Sequence, residues 1–322
     1  GCEAALGDAP KARGVVLRRR SGRPVLRLDL TRLGPEMAYR FVHRADLVAA
    51  LASAATTAGA EIVTGARATP EEGGVGLEDG TLWTADLVIG ADGLHSVLRS
   101  VLNGEAPPRF TGQVAWRATV PNVTGHPDEA HVHMGPGRHL VTYPLRGGSL
   151  VNLVAVEELR DWVAEGWSHR DDPAALRAAF GDFSGDAGAL LAAVETPYLW
   201  GLFRHPVAPR WWGARSVLLG DAAHPTLPFL AQGANMALED AWVLARMLAR
   251  HGIGEDGLSA YAAARRDRVA RVLAAADGNA RKYHLREPIA GAAHLALGIG
   301  GRLAPGAMMK GFDWLYRHDV TA

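Results

Sequence analysis

Hydrophobic and polar positions alternate in short runs near the start of the chain. Residues 15–20 and 24–30 flank Ser21-Gly22, and this predicts a β-hairpin. Asp46 then heads a segment in which Leu47, Leu51, Ala54 and Ala55 share one helical face, closed by Gly59. Residues 61–64 read as a strand, and residues 75–77 and 81–83 as two strands joined through Asp79-Gly80. Residues 86–89 form a short apolar run of the kind that makes a buried parallel strand, and it ends in Gly90-Ala91-Asp92-Gly93.

The texture changes from residue 110 to residue 204. Strand signals dominate at 114–120, 131–134, 140–144 and 150–156, separated by loops rich in Gly and Pro, with a polar helical piece at 173–180. The section predicts a mostly antiparallel sheet. Residues 217–219 then restore the buried parallel-strand pattern, with Gly220-Asp221 at the carboxyl end. A long helix follows from near Gly233, with Ala237, Ala241, Leu244 and Leu248 at helical spacing and Gly252 as its stop. From Leu258 onward the chain reads as helical and rich in arginine, with residues 265–281 expected to present a solvated basic face.

These textures predict an α/β domain interrupted by a β domain. Residues 1–109 and 205–322 form the discontinuous nucleotide-binding part, and residues 110–204 the substrate part. Residues 14–34 are a candidate to pack with the latter, and the site is expected in a crevice between the two parts.

Composition narrows the function. The chain has 322 residues, 48% of them hydrophobic, which suits roughly two cored domains. Lys+Arg and Asp+Glu both number 34, so nothing favours nucleic acid or an anionic membrane surface. The one cysteine, Cys2, allows no internal disulfide and no cysteine-based metal site, in keeping with a cytoplasmic protein. The apolar stretch 290–301 is too short to span a membrane and carries His294. His131 and His133 could share a strand face, but no acidic or cysteine partner stands out, so no metal site is expected. Trp211-Trp212 reads as hydrophobic packing ahead of a strand. Neither a Gly-x-Ser-x-Gly elbow nor a Walker loop is present, so hydrolase and NTPase readings lack support.

The densest chemical signal is Val217-Leu218-Leu219-Gly220-Asp221-Ala222-Ala223-His224-Pro225, with Pro228 and Gln232-Gly233-Ala234-Asn235 after it. It is a strand, an acidic turn, and a glycine-containing loop feeding a helix. An Asp at a strand's carboxyl end can accept hydrogen bonds from ligand hydroxyls. A helix beginning at Gly233 directs unpaired N–H groups and a positive dipole end at whatever lies before it. An isoalloxazine ring gains negative charge on reduction, which such a terminus would stabilise.

This string resembles the second FAD motif of the para-hydroxybenzoate-hydroxylase-like family of flavin monooxygenases. Asp86-Leu87-Val88-Ile89-Gly90-Ala91-Asp92-Gly93, continuing to Arg99, resembles the family's central Asp-Gly motif. Tyr39-Arg40-Phe41-Val42-His43-Arg44-Ala45-Asp46-Leu47 resembles the segment whose arginine, here Arg44, reaches the FAD. The middle section is most similar to the salicylate hydroxylase and 3-hydroxybenzoate 6-hydroxylase branch. The carriers are Phe110-Thr111-Gly112, Ala115-Trp116-Arg117, residues 135–145, and Gln232.

The resemblance implies a Rossmann-like FAD-binding domain around a mostly antiparallel substrate domain, with a helical C-terminal region. It implies FAD as cofactor, NADH or NADPH as co-substrate, and a small aromatic substrate hydroxylated with O2 through a flavin C4a-hydroperoxide, in a monomer or homodimer. Arg44, Asp92, Gly220, Asp221, Pro228, Gly233, Ala234 and Asn235 would bind FAD, Asp92 and Arg99 ordering the nearby loop. His139, Tyr143 and Gln232 would act on the substrate, with His139 as the base that ionises the phenol. A phenolate attacks an electrophilic oxygen better than a phenol does, and a histidine can take that proton near neutral pH. Tyr143 lies four residues after His139, so on a strand both face the same side.

The family's Gly-x-Gly-x-x-Gly motif is not found, and Gly298-Ile299-Gly300-Gly301 does not fit it. The expectation is that this βαβ unit precedes Gly1; a non-catalytic fragment is one open alternative. A flavin hydroxylase acting on a larger ubiquinone-precursor or polyketide substrate is the other open alternative.

Overall fold

The computed structural model describes residues 6–7, 9–34, 37, 39–159 and 169–322; Cys2 lies outside them. In chain order the strands are β1 (Gly14–Arg19), β2 (Pro24–Asp29), β3 (Ala68–Glu71), β4 (Gly74–Leu77), β5 (Leu82–Thr84), β6 (Val88–Gly90), β7 (Arg109–Pro121), β8 (Glu129–Gly135), β9 (Arg138–Leu145), β10 (Leu150–Glu158), β11 (Tyr198–Arg204), β12 (Trp212–Gly213) and β13 (Ser216–Leu218). The helices are α1 (Arg44–Thr57), α2 (Val97–Asn103), α3 (Pro173–Ala179), α4 (Asp186–Ala192), α5 (Gly233–His251), α6 (Glu255–Tyr283), α7 (Ile289–Leu303), α8 (Pro305–Lys310) and α9 (Asp313–Tyr316). The α/β architecture read from the sequence is the one observed.

The chain divides into two compact units. The first comprises Gly1–Ile62, Gly112–Leu202 and Arg281–His318. Its seven-stranded sheet has the order β11-β7-β10-β9-β8-β1-β2. β7, β10, β9 and β8 form antiparallel ladders. β1 joins β8 in parallel and turns back antiparallel into β2. Apolar side chains on successive strands, Val114, Leu140, Val151 and Val156, are at most 1% exposed and form the interior. On the sheet's other end, Leu26, Leu28, Leu30, Leu33, Phe41, Leu145 and Met309 form a second cluster, with Tyr39 and Tyr143 packed against it.

This grouping differs from the division expected from sequence. Residues 14–34 join the middle sheet through the β1–β8 ladder, and the segments to Ile62 and from Arg281 fall in the same compact unit. The reason is pairing over long range: α7 and α8 both pack on β2. Sequence texture alone cannot register such contacts. Helix α1 begins at Arg44 rather than Asp46, because the His43 ring accepts the Ala45 amide and caps the first turn. Its expected buried stripe is absent: Ala50 is the buried residue, while Val48 and Leu51 are 55% and 37% exposed. Residues 61–64 are not a strand, since no described segment offers them a ladder.

The second unit comprises Val63–Thr111, Phe203–Ala280 and Asp319–Ala322. β13 runs parallel to β6, with Leu218 opposite Gly90, and β12 pairs antiparallel with β13. Strands β3, β4 and β5 make a separate antiparallel sheet. β6 lies at an edge of its sheet, which leaves Ile89 48% exposed where a fully buried strand was expected. The buried stripe of α5 is Met236, Asp240, Val243 and Leu244. Of the four residues read from spacing only Leu244 is buried, and Ala241 faces out. α6 also departs from expectation, because Arg265 is 1% exposed rather than solvated. Trp211 is buried, with the Arg266 guanidinium 5.2 Å from its ring centre. Among the described residues, no helix is long and apolar enough to cross a membrane.

Candidate active site

In the second unit, the two glycine–aspartate motifs stand side by side. β6 and β13 are neighbouring parallel strands, so Gly90-Ala91-Asp92 and Gly220-Asp221 leave the sheet at the same carboxyl edge, where Leu219 donates its amide to the Gly90 carbonyl at 3.0 Å. Ligands of open α/β sheets bind at such edges. The Asp92 carboxylate accepts the Val97 amide at 2.8 Å, so it caps α2 and sets the loop between them. Arg99, 8% exposed, donates to the Pro206 carbonyl and ties this loop to the segment before β13. Both residues therefore order the loop.

Gly220 sits at φ +61, and a Cβ there would lie 3.0 Å from that of Ala237 in α5. Only glycine lets the strand end approach the helix this closely without strain. Asp221 follows on the surface of the turn and Pro228 is likewise exposed. The helix that starts at Gly233 has no side-chain cap and no acidic residue in its first turn. The amides of Gly233, Ala234 and Asn235 thus present the positive end of a 19-residue helix. Gln232 is 5% exposed, and its amide oxygen accepts from the Asn235 side chain at 3.4 Å.

Sequence reading missed what holds this turn. Asp240 of α5 is fully buried and accepts from the Gly220 amide at 3.0 Å, from His224 Nε2 at 2.6 Å and from Arg265 Nε at 2.7 Å. Burial alone would raise its carboxyl, but the His224 hydrogen bond and charge, with those of Arg265, hold it below the ordinary carboxylate value. An acid on the apolar stripe of α5 is the signal that could have revealed it.

In the first unit, β9 places His139 and Tyr143 on one face of the sheet. Tyr143 stacks on Phe41, ring centres 5.4 Å apart, and His139 lies 5.2 Å from the Tyr283 ring. Tyr39 and Tyr316 extend this aromatic surface. His139 is 2% exposed, and its Nδ1 is 2.7 Å from His284 Nε2. Burial, and then the neighbouring His284, push its pKa well below the usual histidine value, so the ring is neutral at neutral pH. Burial raises Tyr143, opposed by the Arg117 charge, and raises Tyr283 to about 12, so both keep their protons. Arg44 lies exposed at the first turn of α1, in this same unit. His131 and His133 also belong to it and, contrary to the sequence reading, have an acidic neighbour: Glu129 lies 3.2 Å from His131. Among the described residues, no group of three or more metal-ligating side chains could hold an ion.

The donor set of the second unit fits FAD. A turn aspartate exposed at the strand end, a glycine that lets the helix approach that end closely, and a helix terminus without a side-chain cap or acidic residues suit a ligand that carries hydroxyls and gains negative charge.

Comparison with known proteins agrees. Residues 11–276 match the FAD binding domain family. Salicylate hydroxylase of Pseudomonas putida is 34% identical over 318 residues, spanning 89% of this chain and 72% of that protein. The 3-amino-4-hydroxybenzoate 2-monooxygenase of Streptomyces cremeus is 39% identical over 255 residues, spanning 77% of this chain and 63% of that protein. The crystal structure of Klebsiella pneumoniae HpxO complexed with FAD and uric acid matches with a TM-score of 0.81 at 25% identity, over 97% of this chain and 85% of that one. Three motifs in order, a cradle suited to a flavin, and a match across most of the chain lead to one assignment: the chain belongs to the FAD binding domain family.

Proposed function

We propose that this protein is an FAD- and NAD(P)H-dependent monooxygenase that hydroxylates a small phenolic acid of the salicylate or 3-hydroxybenzoate type, working in the cytoplasm. The observation that carries the reading is His139: a neutral, buried imidazole on an aromatic sheet face, in line with Tyr143. The names of its relatives support the substrate class.

The reading gives each group a task. Asp221, Gly220, Pro228, Asp92, Arg44 and the Gly233–Asn235 amides are the groups assigned to FAD. FAD, when bound, supplies electrons from the nicotinamide and activates O2. His139 takes the phenol proton and so raises the electron density of the ring to be hydroxylated. Tyr143 and Tyr283, protonated throughout, are donors for a phenolate oxygen, and Gln232 supplies a donor and an acceptor that orient the substrate.

The test follows NADH and NADPH oxidation by the FAD-loaded protein with a panel of hydroxybenzoates, with products identified by mass. The expected result is oxidation stimulated by one or a few members, each gaining one oxygen atom. Flavin binding without stimulation by any member would discard the small phenolic acid and leave a larger substrate as the reading.

A further inference from the structure

A chain of hydrogen bonds leads from His139 to the surface. His139 Nδ1 meets His284 Nε2 at 2.7 Å, His284 Nδ1 meets Glu158 Oε1 at 3.1 Å, and Glu158 Oε2 meets Arg286 Nη2 at 2.9 Å. His139 and His284 are 2% and 5% exposed, whereas the Glu158 and Arg286 side chains are 40% and 68% exposed. The line therefore begins in the interior and ends in water. Three elements supply it: β9, β10 and the segment just after α6.

We infer that His284 and Glu158 form a proton relay that carries the phenol proton away from His139 to solvent, a proposal that rests on the function given above. The Glu158 carboxylate accepts only, so it fixes a proton on His284 Nδ1. His284 Nε2 then accepts from the Nδ1–H of His139, and the lone pair of His139 lies on Nε2. In the transfer, the phenol O–H breaks and a proton joins His139 Nε2. The Nδ1–H of His139 passes to His284 Nε2, and the Nδ1–H of His284 passes to Glu158 Oε1. Three bonds to hydrogen break and three form. Both imidazoles end neutral, every hydrogen bond of the line persists with its direction reversed, and Glu158 then exchanges its proton with water.

Physical chemistry favours this over a lone base. Burial makes His139 a poor keeper of a positive charge. A relay spares it that charge, because the proton gained on one nitrogen is matched by one lost from the other. Of the groups facing the pair, Tyr283 is protonated beside His139 and Arg286 donates to the Glu158 carboxylate. The Gln113 side-chain nitrogen of β7, itself a donor, lies 3.5 Å from His284 Nδ1, farther than the 3.1 Å of the Glu158 oxygen, so the carboxylate sets the tautomer. His284 and Glu158 thus act through His139 as positioning residues.

The test measures ionisation of a bound hydroxybenzoate by ultraviolet difference spectroscopy in the FAD-loaded protein, which needs no turnover. Glu158→Gln keeps an acceptor toward His284 but cannot take a proton, and His284→Ala breaks the line. Both variants are expected to retain FAD, to bind the ligand within about threefold, and to ionise it at least about tenfold more slowly, with the bound phenol pKa raised by about a unit. Added imidazole should restore part of the loss in His284→Ala. Unaltered ionisation in both variants, alongside its loss in His139→Ala, would overturn the relay. Should the unsubstituted protein bind no phenol, the functional reading fails separately. The relay is then decided by 15N NMR of the ligand-free protein, where Glu158→Gln should move titration of the His139–His284 pair about one pH unit downward. An unchanged titration would overturn it.

Discussion

The carboxylate of Asp240, within helix α5, accepts the backbone amide of Gly220, at the end of β13, at 3.0 Å with no exposure to water. This bond joins the strand that delivers Asp221 to the helix that presents Gly233, so one buried acid fixes both halves of the proposed FAD cradle. Asp240→Ala would leave the Arg265 charge and the His224 ring without their partner. The expected cost is about 3–5 kcal/mol of stability, as for other broken buried ion pairs, measured by urea unfolding, together with weakened FAD binding. The contribution of Asp240 is complete above its unfolded pKa of about 3.9 and fades as the pH falls through its lower folded value. A neutral Asp240→Ala result would refute this role.

Gly220 offers a gentler probe of the same turn. A side chain at φ +61 costs about 1–2 kcal/mol, and its Cβ meets Ala237 at 3.0 Å. Gly220→Ala is expected to lower the melting temperature and weaken FAD binding, while a Gly93→Ala control, at φ +76 with nothing within 4 Å of its Cβ, should carry the backbone cost alone. Equal effects of the two changes on FAD affinity would contradict the close strand–helix approach argued here.

Three buried histidines in the first unit make its stability depend on acid. Burial, then neighbouring charges, push His131 down to about 4 and His133 to about 3, and burial lowers His126 as well. Both ring nitrogens of His133 lack a hydrogen-bond partner. The unfolded chain takes up these protons from about pH 6.5 downward while the folded one does not, so stability falls as the pH drops from there toward the folded values. The expected slope is up to about 1.4 kcal/mol per pH unit for each histidine, and His133→Phe should flatten it. Denaturant midpoints measured between pH 7 and 5 check this; an identical slope in the variant would count against it.

For His139, the lowered pKa predicts a base that stays neutral, and hence active, below pH 6.5. His139→Ala is expected to reduce hydroxylation about 10²–10⁴-fold while leaving FAD content unchanged, as removal of a general base does. A pH–rate profile measured on both proteins checks the assignment, and an unchanged rate across the profile would remove it.

Local patterns carried much of this into view before the structure did. The strand–turn–helix around Asp221 and Gly233, the short parallel run before Asp92, and the four-residue spacing of His139 and Tyr143 are written in consecutive residues. What stayed hidden depends on pairing across long stretches. His139 and His284 are 145 residues apart, and nothing near either one signals the other. Arg265 reads as one of many arginines until Asp240 and Glu239 are seen to bury it. Residues 61–64 have strand-like composition, but a strand exists only where a ladder is offered. The grouping of Gly1–Ile62 with the seven-stranded sheet follows from the β1–β8 register, which no local pattern encodes.

The central claim, that this chain builds an oxygen-inserting flavoprotein, is tested most directly by tracing the oxygen atom. The FAD-loaded protein would be given NAD(P)H, a stimulating hydroxybenzoate and 18O2, and the aromatic product weighed. The account predicts one 18O atom per product molecule, its yield collapsing in His139→Ala while FAD remains bound. Product oxygen derived from water, or reduced oxygen released with no change in the aromatic compound, would contradict it.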